Sequence, residues 1–312
     1  MPADILLLST LLPAQERALE ERFTVHRPAG NGEKAAFQRD VAPRIRGVVT
    51  GGSTGIGNDL VAQLPALEIV AINGVGFDKV DLDLARARGY RVTNTPDVLT
   101  DDVADLAIAL MLMLSRRLVS ADRFVRAGRW LNGEFPLATR ASGRRYGILG
   151  LGRIGRAIAT RLEGFGGEIA YCTRTPVSDV PYAYHDTVAG LAAASDVLIV
   201  AANASPSTRH IVDAAVLDAL GPTGALVNIA RGSLVDEHAL IDALIEGRIA
   251  GAGLDVFEAE PKVPQALINL SNVVLAPHVG SATAETRGAM GDLVLANLDA
   301  HFAGKPLPTP VV

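Results

Sequence analysis

Along the first hundred residues, short apolar runs recur with room for one helix between most of them. "DILLLS" (4–9), "FTVHR" (23–27), "RGVVT" (46–50), "LEIVAI" (67–72) and "YRVTNT" (90–95) read as strands. "PAQERALEERF" (13–23) and "VDLDLARARG" (80–89) read as helices between them. A second series follows residue 140: "RRYGILG" (144–150), "GEIAYCT" (167–173), "SDVLIVAA" (195–202), "GALVNIA" (224–230), "AGAGLDVF" (250–257) and "NVVLAP" (272–277). This alternation is the βαβ signal of a parallel sheet. Residues 98–127 read as one long helix joining the two series, and "AETRGAMGDLVLANLDAHF" (284–302) as a closing helix.

The apolar centre of the joining helix, "LAIALMLML" (106–114), is bracketed by Asp105 and by Arg116 and Arg117. It is far too short to span a membrane and reads as a buried helix. A chain of 312 residues exceeds a typical single core, so two domains are expected. High apolar and low aromatic content suits an α/β protein with a buried parallel sheet. The formal net charge is −5 and no basic block occurs, which argues against nucleic acid as a partner. One cysteine, Cys172, excludes an internal disulfide framework and fits a reducing cytoplasm. The opening "MPADILLLST" lacks a basic n-region and reads as a first strand, not a signal peptide.

Two glycine-rich loops compete for a nucleotide. "TGGSTGIG" (50–57) follows an apolar run and matches the T-G-x-x-x-G-x-G loop of short-chain dehydrogenases. That class also needs a Tyr-x-x-x-Lys pair. Of the four lysines, Lys34, Lys79, Lys262 and Lys305, none stands four residues after a tyrosine. "GILGLGRIG" (147–155) places Gly150, Gly152 and Gly155 in G-x-G-x-x-G, between the strand "YGIL" and the helix "RIGRAIATRLEGFG". This is the context of a Rossmann loop. The first glycine permits the turn, the second admits the pyrophosphate, and the third lets helix pack on strand. Arg153 and Ile154 begin the helix whose N–H groups and dipole would meet the phosphates. The alternative is a glycine-rich turn with no ligand; the flanking strand and helix speak against it.

In NAD-preferring folds of this type, an acidic residue at the end of the next strand binds the ribose hydroxyls. Here that segment is "YCTRTP": Thr173 takes the acidic position, followed by Arg174 and Thr175. A carboxylate would repel a 2′-phosphate, whereas Arg174 attracts it and the two threonines offer hydroxyls. NADPH is therefore expected over NADH. The competing reading of Arg174 is a solvated surface arginine.

Polar residues also follow three later strands, in "LVNIARGSLVD" (226–236), "GAGLDVFEAEP" (251–261) and "VVLAPHVGSAT" (273–283). Ligands of open parallel sheets sit beyond the carboxyl ends of strands, so Arg231, Asp255, Glu260, His278 and Ser281 are expected at one crevice. The other histidines, His26, His185, His210, His238 and His301, have no comparable setting and read as structural or solvated.

"GILGLGRIG", "NIARGSLVD", "GLDVFEAEP" and "PHVGSAT", in this order and spacing, together with "INGVGFDKVDL" (72–82), resemble the D-isomer-specific 2-hydroxyacid dehydrogenases over nearly the whole chain. "TRT" and "VVTGGSTGIG" most resemble the glyoxylate/hydroxypyruvate reductase branch. The resemblance implies an α/β protein of two domains. One is a Rossmann-type doubly wound parallel sheet over 98–285. The other is a flavodoxin-like substrate domain over 1–97, to which 286–312 returns. It implies a catalytic set of Arg231, Glu260 and His278. Arg231 would bind the substrate carboxylate and polarise the ketone. His278 as imidazolium would donate the proton, and Glu260 would orient the ring and favour its charged form. Glu258 competes for that last role, and only the Glu-Pro pairing selects Glu260.

The resemblance further assigns the amides of Val75 and Gly76 to the substrate carboxylate, and Asp255 to the nicotinamide carboxamide. Thr208, Ile229, Ala230 and Gly280 complete the cofactor contacts; Gly52 and Ser281 line the substrate pocket with Arg231 and His278. "TGGSTGIG" then falls in the substrate domain, at the end of its third strand, facing the cleft where domain closure excludes water. Trp130 reads as a packing residue or one reaching a neighbouring subunit. Two positions depart from the family pattern: Asn203 stands where a proline is usual, and Asp105 where many members carry Glu. No metal is called for. A homodimer pairing through 98–140 is expected. The leading function is NADPH-dependent reduction of glyoxylate and hydroxypyruvate. The alternatives are a reductase of another 2-keto acid such as 2-ketogluconate, or a dinucleotide-sensing protein like the co-repressors that share this fold.

Overall fold

The structure is a computed structural model that describes residues 2–28 and 34–312. Its backbone contacts divide the chain into two units, Met1–Leu99 with Ser281–Val312, and Thr100–Gly280.

The first unit carries strands β1 (Asp4–Leu7), β2 (Thr24–His26), β3 (Ile45–Gly51), β4 (Ile69–Asn73) and β5 (Arg91–Thr93). They form one parallel sheet in the order β2-β1-β3-β4-β5, the flavodoxin-like winding. The apolar runs are continuous because both faces are buried. Val48, Val70, Ile72 and Val92 enter one core cluster. Val49, Ile69 and Ala71, one position along, enter another with Ile5 and Leu7. Helix Ala284–Phe302 contributes Val294, Leu295 and Leu298 to that second cluster, so the closing helix is held by this unit. Each fully buried aliphatic side chain of this kind stabilises by roughly 1.5–3 kcal/mol. The C-terminal residues add to the edge: the Val311 amide donates to the Val92 carbonyl at 2.7 Å.

The second unit carries β6 (Tyr146–Leu149), β7 (Ile169–Cys172), β8 (Ala183–His185), β9 (Val197–Val200), β10 (Ala225–Asn228), β11 (Gly251–Leu254) and β12 (Val273–Leu275). Their order is β12-β11-β10-β9-β6-β7-β8, all parallel. The winding reverses between β6 and β9, which is the topological switch point of a doubly wound sheet. Leu198, Val200, Leu226 and Leu254 pack on one face beneath Leu191, Leu217, Leu240 and Leu244.

Two expectations need correction. The segment 98–127 is not one helix: Thr100–Ser115 ends and Leu118–Arg126 begins after Arg117, which has φ 52°. The Ser115 carbonyl there accepts the Thr139 amide at 2.9 Å, a tertiary bond that stops the ladder. The sequence pattern carries no trace of it, since Arg is a good helix former. Within the first helix Ala107, Leu110 and Met111 are buried, whereas Met113 is exposed, so the apolar run is not buried throughout. Strand β8 was also not expected. It is a three-residue edge strand in "PYAYHD", half exposed, with no apolar run to announce it.

Candidate active site

The loop after β6 meets three distinct steric demands. Gly150 has φ +94°, and a Cβ there would lie 2.6 Å from the Cα of Ala202. A Cβ on Gly155 would lie 2.1 Å from the Gly150 carbonyl oxygen, so only glycine lets the helix close on the strand. A Cβ on Gly152 would meet no atom within 4 Å. That side of the loop is open, and glycine is needed there only if something else approaches. Gly152 is the N-cap of helix Arg153–Glu163 and, being glycine, supplies no side-chain cap hydrogen bond. An open glycine beside an uncapped helix start fits a pyrophosphate.

Arg174 is exposed just past β7, and among the described residues no hydrogen bond or ion pair engages it. Thr173 donates its hydroxyl to the Thr175 carbonyl at 2.7 Å, which folds this segment into a tight turn. Thr208 lies in a short 3₁₀ segment, its hydroxyl accepting the Ser205 amide at 2.8 Å and bonding the Asn203 carbonyl at 3.0 Å. Asn203, the departure from the usual proline, thus serves that turn through its backbone. Asp105, the other departure, pairs with Arg161 at 2.6 Å.

Arg231, Glu260 and His278 stand on the loops that leave β10, β11 and β12, at the same sheet edge as the glycine loop. The Nδ1 atom of His278 is 2.7 Å from Oε2 of Glu260, and Oε1 of the same carboxylate accepts the Phe257 amide at 3.0 Å. Burial alone would push the Glu260 carboxyl up. The His278 bond, the Phe257 amide and the positive charges of His278 and Arg231 outweigh it and hold the carboxyl below its ordinary 4.5. Glu258 is engaged elsewhere, by Arg209 and by His210 at 2.8 Å. The Nη1 atom of Arg231 donates to the Ala230 carbonyl at 2.8 Å.

His278 has φ 55°, rare for a residue with a side chain. Asp255, 1% exposed, holds it there. Its carbonyl accepts the His278 amide at 2.8 Å. Its carboxylate accepts Val279 N–H at 2.7 Å and Gly280 N–H at 2.9 Å. The assignment of Asp255 to a carboxamide left out this second employment. Two further residues of the site were not singled out from the sequence. Asn228, also 1% exposed, bonds both Ala230 and Arg231, and Gly232 packs directly on the Phe257 backbone. The signal for Asn228 was a polar residue closing an apolar strand. Gly232 left no signal, because its reason is a contact 25 residues away. Ile229 is buried and Ala230 partly so, in the same turn.

A carboxylate partner does not by itself distinguish His278. His26 bonds Asp4 at 2.7 Å and His301 bonds Glu68 at 3.3 Å, both within the first unit, and His210 bonds Glu258. Its place on the loop after β12, beside the loops of Arg231 and Glu260 in the second unit, does distinguish it. In the first unit, Gly52 lies in the loop after β3 and Val75 and Gly76 in the loop after β4; Ser281 begins the segment leading to the closing helix. The loop "TGGSTGIG" has a structural use there. Gly55 has φ +62°, and a Cβ would lie 2.3 Å from the Lys79 carbonyl oxygen. The helix that follows, Asn58–Val61, spans only four residues. It offers little of the dipole a phosphate would use. Trp130, Leu131 and Leu137 are largely exposed. Among the described residues no group of three or more His, Cys, Asp or Glu side chains is placed to hold a metal ion. No helix among them is long and apolar enough to cross a membrane.

A doubly wound sheet with an open glycine loop and a histidine–carboxylate pair at one edge defines a dinucleotide-dependent dehydrogenase. Residues 108–280 match the model of the D-isomer specific 2-hydroxyacid dehydrogenase NAD binding domain. The chain is 54% identical over 308 residues to glyoxylate/hydroxypyruvate reductase A of Arabidopsis thaliana, covering 99% of this chain and 98% of that one. It is 51% identical to hydroxyphenylpyruvate reductase of Plectranthus scutellarioides, with the same coverage. The crystal structure of an NADPH-dependent glyoxylate/hydroxypyruvate reductase from Sinorhizobium meliloti, in complex with NADP and malonate, superposes with a TM-score of 0.94. That protein is 48% identical, and the match covers 100% of this chain and 97% of that one. The chain belongs to the D-isomer specific 2-hydroxyacid dehydrogenase family.

Proposed function

We propose that the protein reduces small 2-keto acids, glyoxylate and hydroxypyruvate first among them, to the D-2-hydroxy acids, using NADPH. The observation that carries the reading is the His278–Glu260 pair at 2.7 Å, on loops beside that of Arg231 and at the same strand ends as the glycine loop. The similarity to two enzymes named for these substrates supports it.

The roles follow from the chemistry of the groups. Arg231 binds the keto acid's carboxylate through its planar fork and polarises the adjacent carbonyl. His278 delivers the proton from Nε2, because Nδ1 is committed to Glu260. Glu260, itself kept ionised, fixes the ring and stabilises the imidazolium before transfer. Bound nicotinamide supplies the hydride. Gly150, Gly152, Arg153, Ile154 and Gly155 would receive the dinucleotide's pyrophosphate, and Thr208, Ile229, Ala230, Asp255 and Gly280 would border the rest. Gly52, Val75, Gly76 and Ser281 are assigned to the substrate. Arg174, exposed and unengaged, with Thr173 and Thr175, favours the 2′-phosphate of NADPH over NADH.

We read the protein as a cytoplasmic homodimer: the exposed apolar residues Leu131 and Leu137 support the dimer, and a single cysteine, which permits no internal disulfide, suits a reducing compartment. The dinucleotide-sensor reading is tested by turnover. A sensor binds NADPH yet reduces none of glyoxylate, hydroxypyruvate, pyruvate or 2-ketogluconate, and that outcome would remove the enzyme reading.

A further inference from the structure

We infer that Asn228 is a positioning residue for the reaction, a brace that presents the Arg231 guanidinium in one orientation. The inference rests on the reading of Arg231 as the carboxylate-binding group. Asn228 ends β10, whose other residues, Ala225, Leu226 and Val227, are buried and apolar. A carboxamide in that row is costly unless its groups are bonded. Among the described residues they are bonded only to the turn that follows. Oδ1 accepts the Ala230 amide at 3.1 Å, and Nδ2 donates to the Arg231 carbonyl at 2.9 Å.

The first bond closes a small ring across Ile229, and the second closes a larger one that reaches the Arg231 carbonyl. The main chain of Asn228 ties the turn to the next strand, its carbonyl accepting the Asp255 amide at 3.0 Å. On the far side, Gly232 lies so close to the Phe257 backbone that a Cβ would be 2.0 Å from its carbonyl carbon. Arg231 is therefore fixed from before and behind, and Nη1 closes on the Ala230 carbonyl of the same turn. A valine at position 228 would complete the strand equally well. What the amide adds is the shape of the turn. Without it the turn samples other shapes, and binding of a carboxylate by two parallel hydrogen bonds suffers first.

The test compares Asn228→Asp, Asn228→Ala and Arg231→Ala with the parent. Asn228→Asp keeps the size and the acceptor for Ala230 but loses the donor to Arg231, so it carries the test if Asn228→Ala does not fold. Four quantities are read: kcat and KM for glyoxylate, the inhibition constant of oxamate, the NADPH dissociation constant by fluorescence, and the melting temperature. The expected result is a roughly 10- to 100-fold loss of kcat/KM, as for an ångström-scale misplacement. Oxamate affinity falls by a similar factor and NADPH affinity by clearly less, because Ile229 and Ala230 are the only proposed cofactor contacts in this turn. Equal loss of oxamate and NADPH affinity would mean that Asn228 merely supports the domain, and the inference is overturned. Parental kinetics in Asn228→Asp overturn it too. If Arg231→Ala itself keeps full oxamate affinity and turnover, the reading of Arg231 has failed and the brace has nothing to position.

Discussion

Gly232→Ala tests whether the geometry between the Arg231 and Glu260 loops matters, without touching a reacting group. The added Cβ would lie 2.0 Å from the Phe257 carbonyl carbon, 2.2 Å from its oxygen and 2.4 Å from the Glu258 nitrogen, against 3.4 Å for ordinary contact. All three atoms are backbone, so no side chain can swing away. The two loops have to part by roughly 1 Å, a displacement that costs an active site about 10²-fold. Overpacking of this kind destabilises by about 1–3 kcal/mol, which lowers the melting temperature of a domain this size by roughly 2–12 °C. The assay is kcat/KM for glyoxylate with NADPH, alongside the melting curve and NADPH affinity. The expected result is a fold that melts earlier, binds NADPH as before and turns over about a hundredfold less efficiently. Parental kcat/KM together with a parental melting temperature would show that the contact is not tight in solution, and the reasoning from it would fall.

His278→Ala is expected to lower kcat by roughly 10²–10⁴ while leaving NADPH affinity intact, and full kcat would remove the proton-donor role. Arg174→Ala should raise the KM for NADPH and leave that for NADH nearly unchanged; equal loss with both would make Arg174 structural. Gly152→Val, whose side chain starts in open space, should fold with nearly parental stability yet lose NADPH binding, measured by fluorescence titration. Retained affinity would show that the dinucleotide lies elsewhere. The Glu260 carboxyl is held below its ordinary 4.5, so its hydrogen-bonded carboxylate stabilises the fold above that pH and the contribution is lost as acidification protonates it. The stability difference between parent and Glu260→Gln, from urea unfolding, should therefore be present at neutral pH and shrink in acid; a difference that grows in acid would contradict the sign.

The βαβ rhythm and the strand-end chemistry were legible because both are local. Apolar runs bounded by turns named eleven of the twelve strands among the described residues, and the helix expected at 284–302 spans Ala284–Phe302. The G-x-G-x-x-G pattern could be read because the positive φ of Gly150 and the contact of Gly155 with Gly150 are local, although Gly150 also faces Ala202, far along the chain. Choosing Glu260 over Glu258 was a different matter, since both lie in one short segment. Only folding shows that one faces His278 and the other His210. The break at Arg117 and the exclusion of any side chain at Gly232 depend on segments far along the chain, and no pattern within a window records them. Asn228 lay between. It was visible as a polar residue closing an apolar strand, but its meaning lies in two hydrogen bonds that exist only once the turn is formed.

The most direct test of the central claim is oxidation of NADPH, followed by absorbance, with glyoxylate, hydroxypyruvate, hydroxyphenylpyruvate, pyruvate and 2-ketogluconate, and the same series with NADH. The account predicts highest kcat/KM with NADPH and the first two substrates, and its loss in His278→Ala. Absence of turnover with every keto acid, in a protein that binds NADPH, would contradict it.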